Sequence, residues 1–107
     1  MNALPVSHYT VTTACGRGRD SLLAALRQDR SGLRHGSFEA GALHSWYGEV
    51  DGLEQPLAGP HAAWDCRLNR LLAASLRQDG FAEAAAALVG RYGAARVGLF
   101  LGTSTSG

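Results

Sequence analysis

Arg96-Val97-Gly98-Leu99-Phe100-Leu101-Gly102-Thr103-Ser104-Thr105-Ser106-Gly107 is the stretch on which the fold turns. A short unbroken apolar run followed by small, flexible residues is the pattern of a buried parallel strand handing over to a site-forming loop. Such a strand needs neighbours on both edges and a layer on each face. Residues 1–95 hold few strand candidates, so residues 1–107 read as the opening segment of a larger domain, incomplete by itself.

Working back from that run, Phe81 to Tyr92 is alanine-rich and strongly helix-forming until Gly93 interrupts it. Before it, Trp64, Leu68, Leu71, Leu72 and Leu76 recur at helical spacing and predict a helix after Pro60 with one apolar stripe, ended at Gly80. The stretch from Ser31 to Pro60 is loop-rich and poor in periodicity, with one strand candidate over His44 to Val50. Val6 to Thr13, rich in β-branched and aromatic residues, predicts a first strand ended by Gly16 and Gly18. From about Gly18 to Gln28, Leu22, Leu23 and Leu26 share one helical face. Asp20 or Ser21 is its expected N-cap, and Gly32 the expected residue of positive φ beyond its C-terminus. The order strand, helix, irregular hairpin region, helix, helix, strand argues for an α/β fold with a parallel or mixed sheet packed by helices.

With 46% hydrophobic and 18% charged residues, and no apolar stretch long enough to cross a bilayer, the composition is that of a soluble globular protein without membrane insertion. A net charge of +1 gives no reason to expect nucleic acid or an anionic membrane as partner. All ten basic residues are Arg. That suits phosphate recognition by guanidinium forks, although coding bias in an Ala-, Gly- and Arg-rich proteome is the simpler account. Cys15 and Cys66 have neither zinc-site nor disulfide-framework spacing. Met1 to Pro5 shows no secretory signal, so reduced thiols and a cytoplasmic location are the expectation.

Three phosphate or nucleophile motifs fail on named residues. A Walker-type loop needs a lysine after its second glycine, and the chain has no lysine. A nucleophile elbow needs G-x-S-x-G, and Gly102-Thr103-Ser104-Thr105-Ser106 lacks the final glycine. A dinucleotide fingerprint near Gly16-Arg17-Gly18 has Ser21 in place of the third glycine. Thr13-Ala14-Cys15-Gly16 resembles a reactive cysteine turn, but His8, His35, His44 and His61 show no spacing that places two on one face or one beside the thiol. Both cysteines therefore read as structural. Asp20, Asp65 and Glu83 each lie near a predicted helix start, where capping and the helix dipole account for them.

Taken in order, six segments resemble the amino-terminal part of β-ketoacyl-acyl carrier protein synthases, the condensing enzymes of the thiolase superfamily. They are Val6 to Val11, Gly16 to Leu26, Arg30-Ser31-Gly32-Leu33, Trp46-Tyr47-Gly48-Glu49-Val50, Trp64 to Leu76, and Arg96 to Gly107. The last is the most specific, being similar to the family's R-[IV]-G-x-x-x-G-[ST]-x-x-x-G segment. The resemblance implies the amino-terminal part of a thiolase-like α/β/α layered fold, with a mixed sheet packed by helices.

It also implies decarboxylative Claisen condensation of an acyl thioester with malonyl-acyl carrier protein, in fatty-acid, polyketide or polyene biosynthesis, with no cofactor. Acyl carrier protein, the remainder of the same polypeptide and a second ketosynthase subunit, in a homo- or heterodimer, are the implied partners. The family's nucleophilic cysteine, two histidines and lysine match no position of residues 1–107, so no catalytic residue is carried over. What carries over is the acyl-pocket loop, with the pocket gate at Thr105 and Ser104 and Ser106 as its neighbours. Two other readings stand beside this one: a non-catalytic, chain-length-factor type partner subunit shaping a neighbour's acyl pocket, and a self-sufficient small α/β binding module.

Overall fold

A computed structural model describes residues 3–37 and 44–102. The first elements are β1 (Thr12–Thr13) and β2 (Gly16–Arg17), which pair antiparallel with Thr12 opposite Arg17 and Thr13 opposite Gly16. The strand expected over Val6 to Thr13 is thus reduced to its last two residues. Gly16 adopts φ 134, and this backbone freedom folds the chain back on itself through Ala14 and Cys15 instead of merely ending a strand. The Gly18 N–H donates to the Val11 carbonyl at 2.9 Å and closes the hairpin.

Helix α1 (Arg19–Arg27) follows at once. Its N-cap is Gly18, at φ 89, rather than Asp20 or Ser21. Asp20 lies in the first turn, where its charge suits the positive end of the helix dipole. The Ser21 hydroxyl donates to the Arg17 carbonyl at 2.9 Å. At the other end, Arg30 N–H reaches the Ala25 carbonyl at 2.9 Å and Asp29 N–H the Leu26 carbonyl at 3.3 Å, which is a Schellman closure. Asp29, at φ 50, takes the left-handed position expected of Gly32.

Gly32 has a different reason to be glycine. A Cβ on it would lie 2.4 Å from the Ala14 carbonyl carbon and 2.6 Å from the Cys15 nitrogen. The hairpin turn and the segment leaving α1 therefore touch backbone to backbone. Helix α1 packs against β1 and β2, and Ala25 on its inner face is 1% exposed.

Strands β3 (Leu33–Ser37) and β4 (His44–Gly48) form a second antiparallel pair, with Leu33 opposite Gly48 and Ser37 opposite His44. The expected strand over His44 to Val50 is found, and its partner lies in a segment whose sequence has no strand signature. A 3₁₀ turn (Gly59–Trp64) precedes α2 (Arg67–Leu76), and α3 (Phe81–Tyr92) follows. Asp79 and Gly80, both at positive φ, make the corner between the helices, and Gly93 at φ 82 ends α3 as its sequence predicts.

The result is a mixture of helices and strands, as expected, but the sheets differ from the expectation. Among the described residues both sheets are two-stranded and antiparallel, with no parallel pairing. Val97 to Leu101 belongs to no strand. An apolar run becomes a strand only where another strand satisfies its N–H and C=O groups, and none of the described strands pairs with it. The thiolase-like layering itself is not among the features these elements display. No described helix is long and apolar enough to cross a membrane.

Candidate functional site

Two concavities meet at Arg17, at the end of the first hairpin. The larger, of about 840 Å³, lies between α2 and the loop at 52–64, and its apolar wall includes Leu53, Leu57, Trp64, Leu72 and Leu76. Among the described residues its polar lining comprises Arg17, Gln55, His61, Asn69, Arg70 and Arg77, with no carboxylate. The smaller, of about 370 Å³, sits behind the Ala14-Cys15 turn and carries Arg17, Arg30 and Arg34 against Glu49 and Asp51.

The wall of the larger cleft is held by one clamp. Asp65 precedes α2 instead of sitting in its first turn, and it accepts from Arg70 Nε at 2.8 Å and from Arg70 Nη2 in a bidentate fork. The same carboxylate accepts the Leu57 N–H at 2.8 Å. Arg70 Nη1 donates to the Leu53 and Glu54 carbonyls at 3.1 and 3.2 Å. The 53–57 loop and the start of α2 thus share one ion pair, and Leu53 beneath it is 3% exposed. The hydrogen bond from Arg70 and then that from Leu57 hold the Asp65 carboxyl down to about 2.

The smaller cavity is bordered by a chain of ion pairs. Arg34 reaches Asp51 at 2.7 Å and Glu49 at 3.8 Å, and Arg67 reaches Glu49 at 3.6 Å while donating to the Val50 carbonyl at 2.8 Å. These tie the second hairpin to the start of α2. Cys15 is half-buried, its Sγ 3.7 Å from the Arg30 carbonyl, and no histidine lines the cavity around it. A thiol without a neighbouring base lacks the partner that nucleophilic catalysis requires. Cys66, which reads from sequence as structural, is exposed at the N-cap of α2.

A third polar junction fastens the N-terminal segment to the end of α2. The Thr10 hydroxyl donates to Asp79 Oδ2 at 2.8 Å, and Gln78 Nε2 lies within 2.8–2.9 Å of Thr10 Oγ1, Val11 O and Thr12 Oγ1. Asp79 also accepts the Arg19 N–H at 3.1 and 3.2 Å, capping α1 from 60 residues away. Partial burial pushes the Asp79 carboxyl up, but the Thr10 hydroxyl, the Arg19 N–H and the Arg19 charge outweigh it and leave it below its ordinary value. Asp79→Ala should speed hydrogen exchange at the Arg19 amide about tenfold, the usual loss for a removed side-chain cap. Asp79→Asn should keep part of the protection, because its amide oxygen still accepts; equal rates in wild type and D79A would remove the cap from the account.

The sequence-predicted site residues fall unevenly on this structure. Ser104, Thr105 and Ser106 lie outside the described residues. Glu83 occupies the first turn of α3, as its dipole role requires. The histidines are less scattered than their spacing suggests: the β3–β4 register puts His35 and His44 on one face, ring centroids 6.3 Å apart, with Trp46 edge-on to His35 at 5.3 Å. Among the described residues no group of three or more His, Cys, Asp or Glu side chains is placed to hold a metal. The Asp65–Arg70 clamp and the Asp79 cap have no signature in the sequence, since neither spacing is a helical or strand period.

Comparison with protein-family models, curated proteins and solved structures returns no match for this chain. The site is therefore characterised by its own geometry. The described residues build an apolar cleft with a cationic rim, and they bring together no nucleophile and base.

Proposed function

We propose that the chain is the amino-terminal segment of a β-ketoacyl-acyl carrier protein synthase. The observation that carries the reading is the order of the six resembling segments, ending in Arg96 to Gly107. Helices α1 and α2 overlap the two segments, Gly16 to Leu26 and Trp64 to Leu76, that resemble helices of the family. The exposed apolar run at 97–101 is compatible with a strand of the family's layered fold, supplied with neighbours by other parts of the protein.

In this reading the segment contributes the acyl-pocket loop, with Thr105 at the gate between Ser104 and Ser106. A polar, β-branched gate suits polyene or polyketide-like acyl chains as readily as saturated ones. Elsewhere in the protein a cysteine takes the acyl group, and histidines assist loss of CO₂ from the malonyl unit and hold the thioester oxygen, whose developing charge hydrogen-bond donors stabilise. Acyl carrier protein delivers both substrates, and a second ketosynthase subunit completes the dimer.

The test is to mix the complete gene product with acyl- and malonyl-acyl carrier protein and follow the carrier-bound chains by mass spectrometry. The expected product is the acyl chain lengthened by one condensed unit, with an acylated enzyme mass in the absence of malonyl carrier. Absence of both, with an intact nucleophile cysteine, overturns the reading. Extension only in the presence of a second, acylated subunit assigns the chain to the non-catalytic partner class instead.

A further inference from the structure

In the larger cleft, positive charge without a counter-charge meets open apolar surface. Its floor is α2, where Asn69, Leu72, Ala73 and Leu76 recur at helical spacing and share one face. The opposite wall comes from the 52–64 segment and carries Leu57 and two rings, His61 and Trp64. His61 and Trp64 stand three positions apart in the 3₁₀ turn, a spacing at which side chains eclipse, so both line the same side. Trp64 is 71% exposed. A large ring left open at a cleft wall offers a face or edge for a second ring.

The two walls are fixed to each other. Asn69 Nδ2 donates to the Trp64 carbonyl at 2.7 Å, and the Asp65–Arg70 clamp holds the Leu57 N–H and the Leu53 and Glu54 carbonyls against α2. A ligand therefore meets a cleft already shaped, and its binding orders little of the protein. The volume of about 840 Å³ lies within the range of roughly 300–1,000 Å³ usual for small-molecule sites. Charge decides the kind of molecule. Arg70 is answered by Asp65, and Glu49 and Asp51 of the neighbouring smaller cavity pair with Arg34 and Arg67. Arg17 and Arg77 line the larger cleft, and their guanidiniums make no hydrogen bond or ion pair with any described residue. Arg17 reaches the cleft over Gly52, at φ 76, where a Cβ would stand 3.3 Å from Arg17 Nη2.

We infer that this cleft binds a small aromatic anion, its ring system seated between α2 and Trp64 and its carboxylate or phosphate drawn to the guanidiniums of Arg17 and Arg77. The inference goes beyond the ketosynthase reading and uses none of it. A guanidinium fork fits the paired oxygens of either anion. A bare inorganic anion would leave the apolar floor in water, and a neutral ring would leave both guanidiniums unanswered. A molecule that joins a ring to an oxyanion meets both requirements. The apolar wall supplies most of the affinity, and the two arginines supply the discrimination between charged and neutral ligands.

Calorimetric titration of the complete gene product with naphthoate, naphthyl phosphate and the neutral naphthylmethanol tests this. At least one of the two anions should bind about tenfold tighter than the alcohol at low salt, with the gap narrowing as salt is raised. The tighter of the two anions identifies the head group. Arg17→Gln combined with Arg77→Gln should abolish the gap while leaving the affinity for the alcohol at its wild-type value. Trp64→Ala should weaken all three ligands about tenfold, since it removes apolar wall and no charge. Both variants should leave exchange at the Leu57 amide unchanged, because none of these side chains belongs to the clamp. Equal binding of anions and alcohol by the wild-type protein overturns the inference, as does the absence of binding at millimolar anion or a gap that survives in the double arginine variant. Retention on phosphatidylglycerol vesicles without binding of the soluble anions overturns it in favour of a lipid contact.

Discussion

Gly32→Val should destabilise the α1 unit by about 3 kcal/mol, at the upper end of overpacking costs. The new Cβ would fall 2.4 Å from the Ala14 carbonyl carbon, a distance that backbone atoms cannot relieve by a rotamer change. Either the Ala14-Cys15 turn or the segment leaving α1 must withdraw. Withdrawal of the turn strains the Gly18–Val11 hydrogen bond that closes the hairpin. Exchange at the Gly18 amide should therefore rise by about two orders of magnitude. Gly90→Ala is the matched control. Gly90 lies inside α3 without a positive φ, and a Cβ there would meet nothing within 4 Å, so alanine should stabilise the helix by about 0.5–1 kcal/mol. Equal behaviour of the two variants would mean that the close approach does not exist in solution.

Arg70→Ala should free the 53–57 loop from α2 and raise exchange at the Leu57 amide more than tenfold. Among the described residues Arg70 is the one side chain that bonds Asp65, Leu53 and Glu54 together, so its loss takes the counter-charge from a half-buried carboxylate and a donor from each of two carbonyls. Arg70→Lys keeps the charge but not the planar fork, and should fall between wild type and alanine. The same clamp has an acid limit. Asp65 is depressed from 3.8 to about 2, chiefly by the Arg70 hydrogen bond and then by the Leu57 N–H. A depressed carboxyl binds its proton less readily in the folded state than in the unfolded one, so its stabilising contribution is complete above the unfolded value and disappears as pH falls through the folded one. Protection at Leu57, corrected for intrinsic exchange, should be flat from pH 7 to about 4 and fall between pH 3.8 and about 2. In Arg70→Ala that step should be missing; a step of equal size in both proteins would separate the carboxylate from the arginine.

Helix positions were legible in the sequence because each depends on neighbours three or four residues away. Leu68, Leu72 and Leu76 mark α2, the alanine block marks α3, and Gly93 ends it. Strands were legible only where residues of high strand propensity cluster, as at Trp46 and Tyr47. The strand over Leu33 to Ser37 contains Arg34, His35 and Gly36, and it exists because β4 lies beside it. The N-terminal cap of α1 was misplaced for the same reason: Asp79 caps it through space, and no local rule connects residue 79 to residue 19. The cleft with Arg17 and the Asp65–Arg70 clamp at its wall was likewise invisible, since it joins the first hairpin, the 52–64 loop and α2. The acyl-pocket loop at Ser104, Thr105 and Ser106 is a reading of sequence alone.

By itself the sequence determined the three helices, the apolar faces of α1 and α2 and the glycine that ends α3 at 93, because helix pattern and positive φ are local properties of the chain. Tertiary structure alone decided that the first strand folds into a hairpin, that Gly32 is needed for a backbone contact rather than a helix end, that Asp79 caps α1, and that the run at 97–101 has no ladder with any described strand. Each of these rests on contacts between residues far apart in the chain, and no local pattern encodes whether such a neighbour is present.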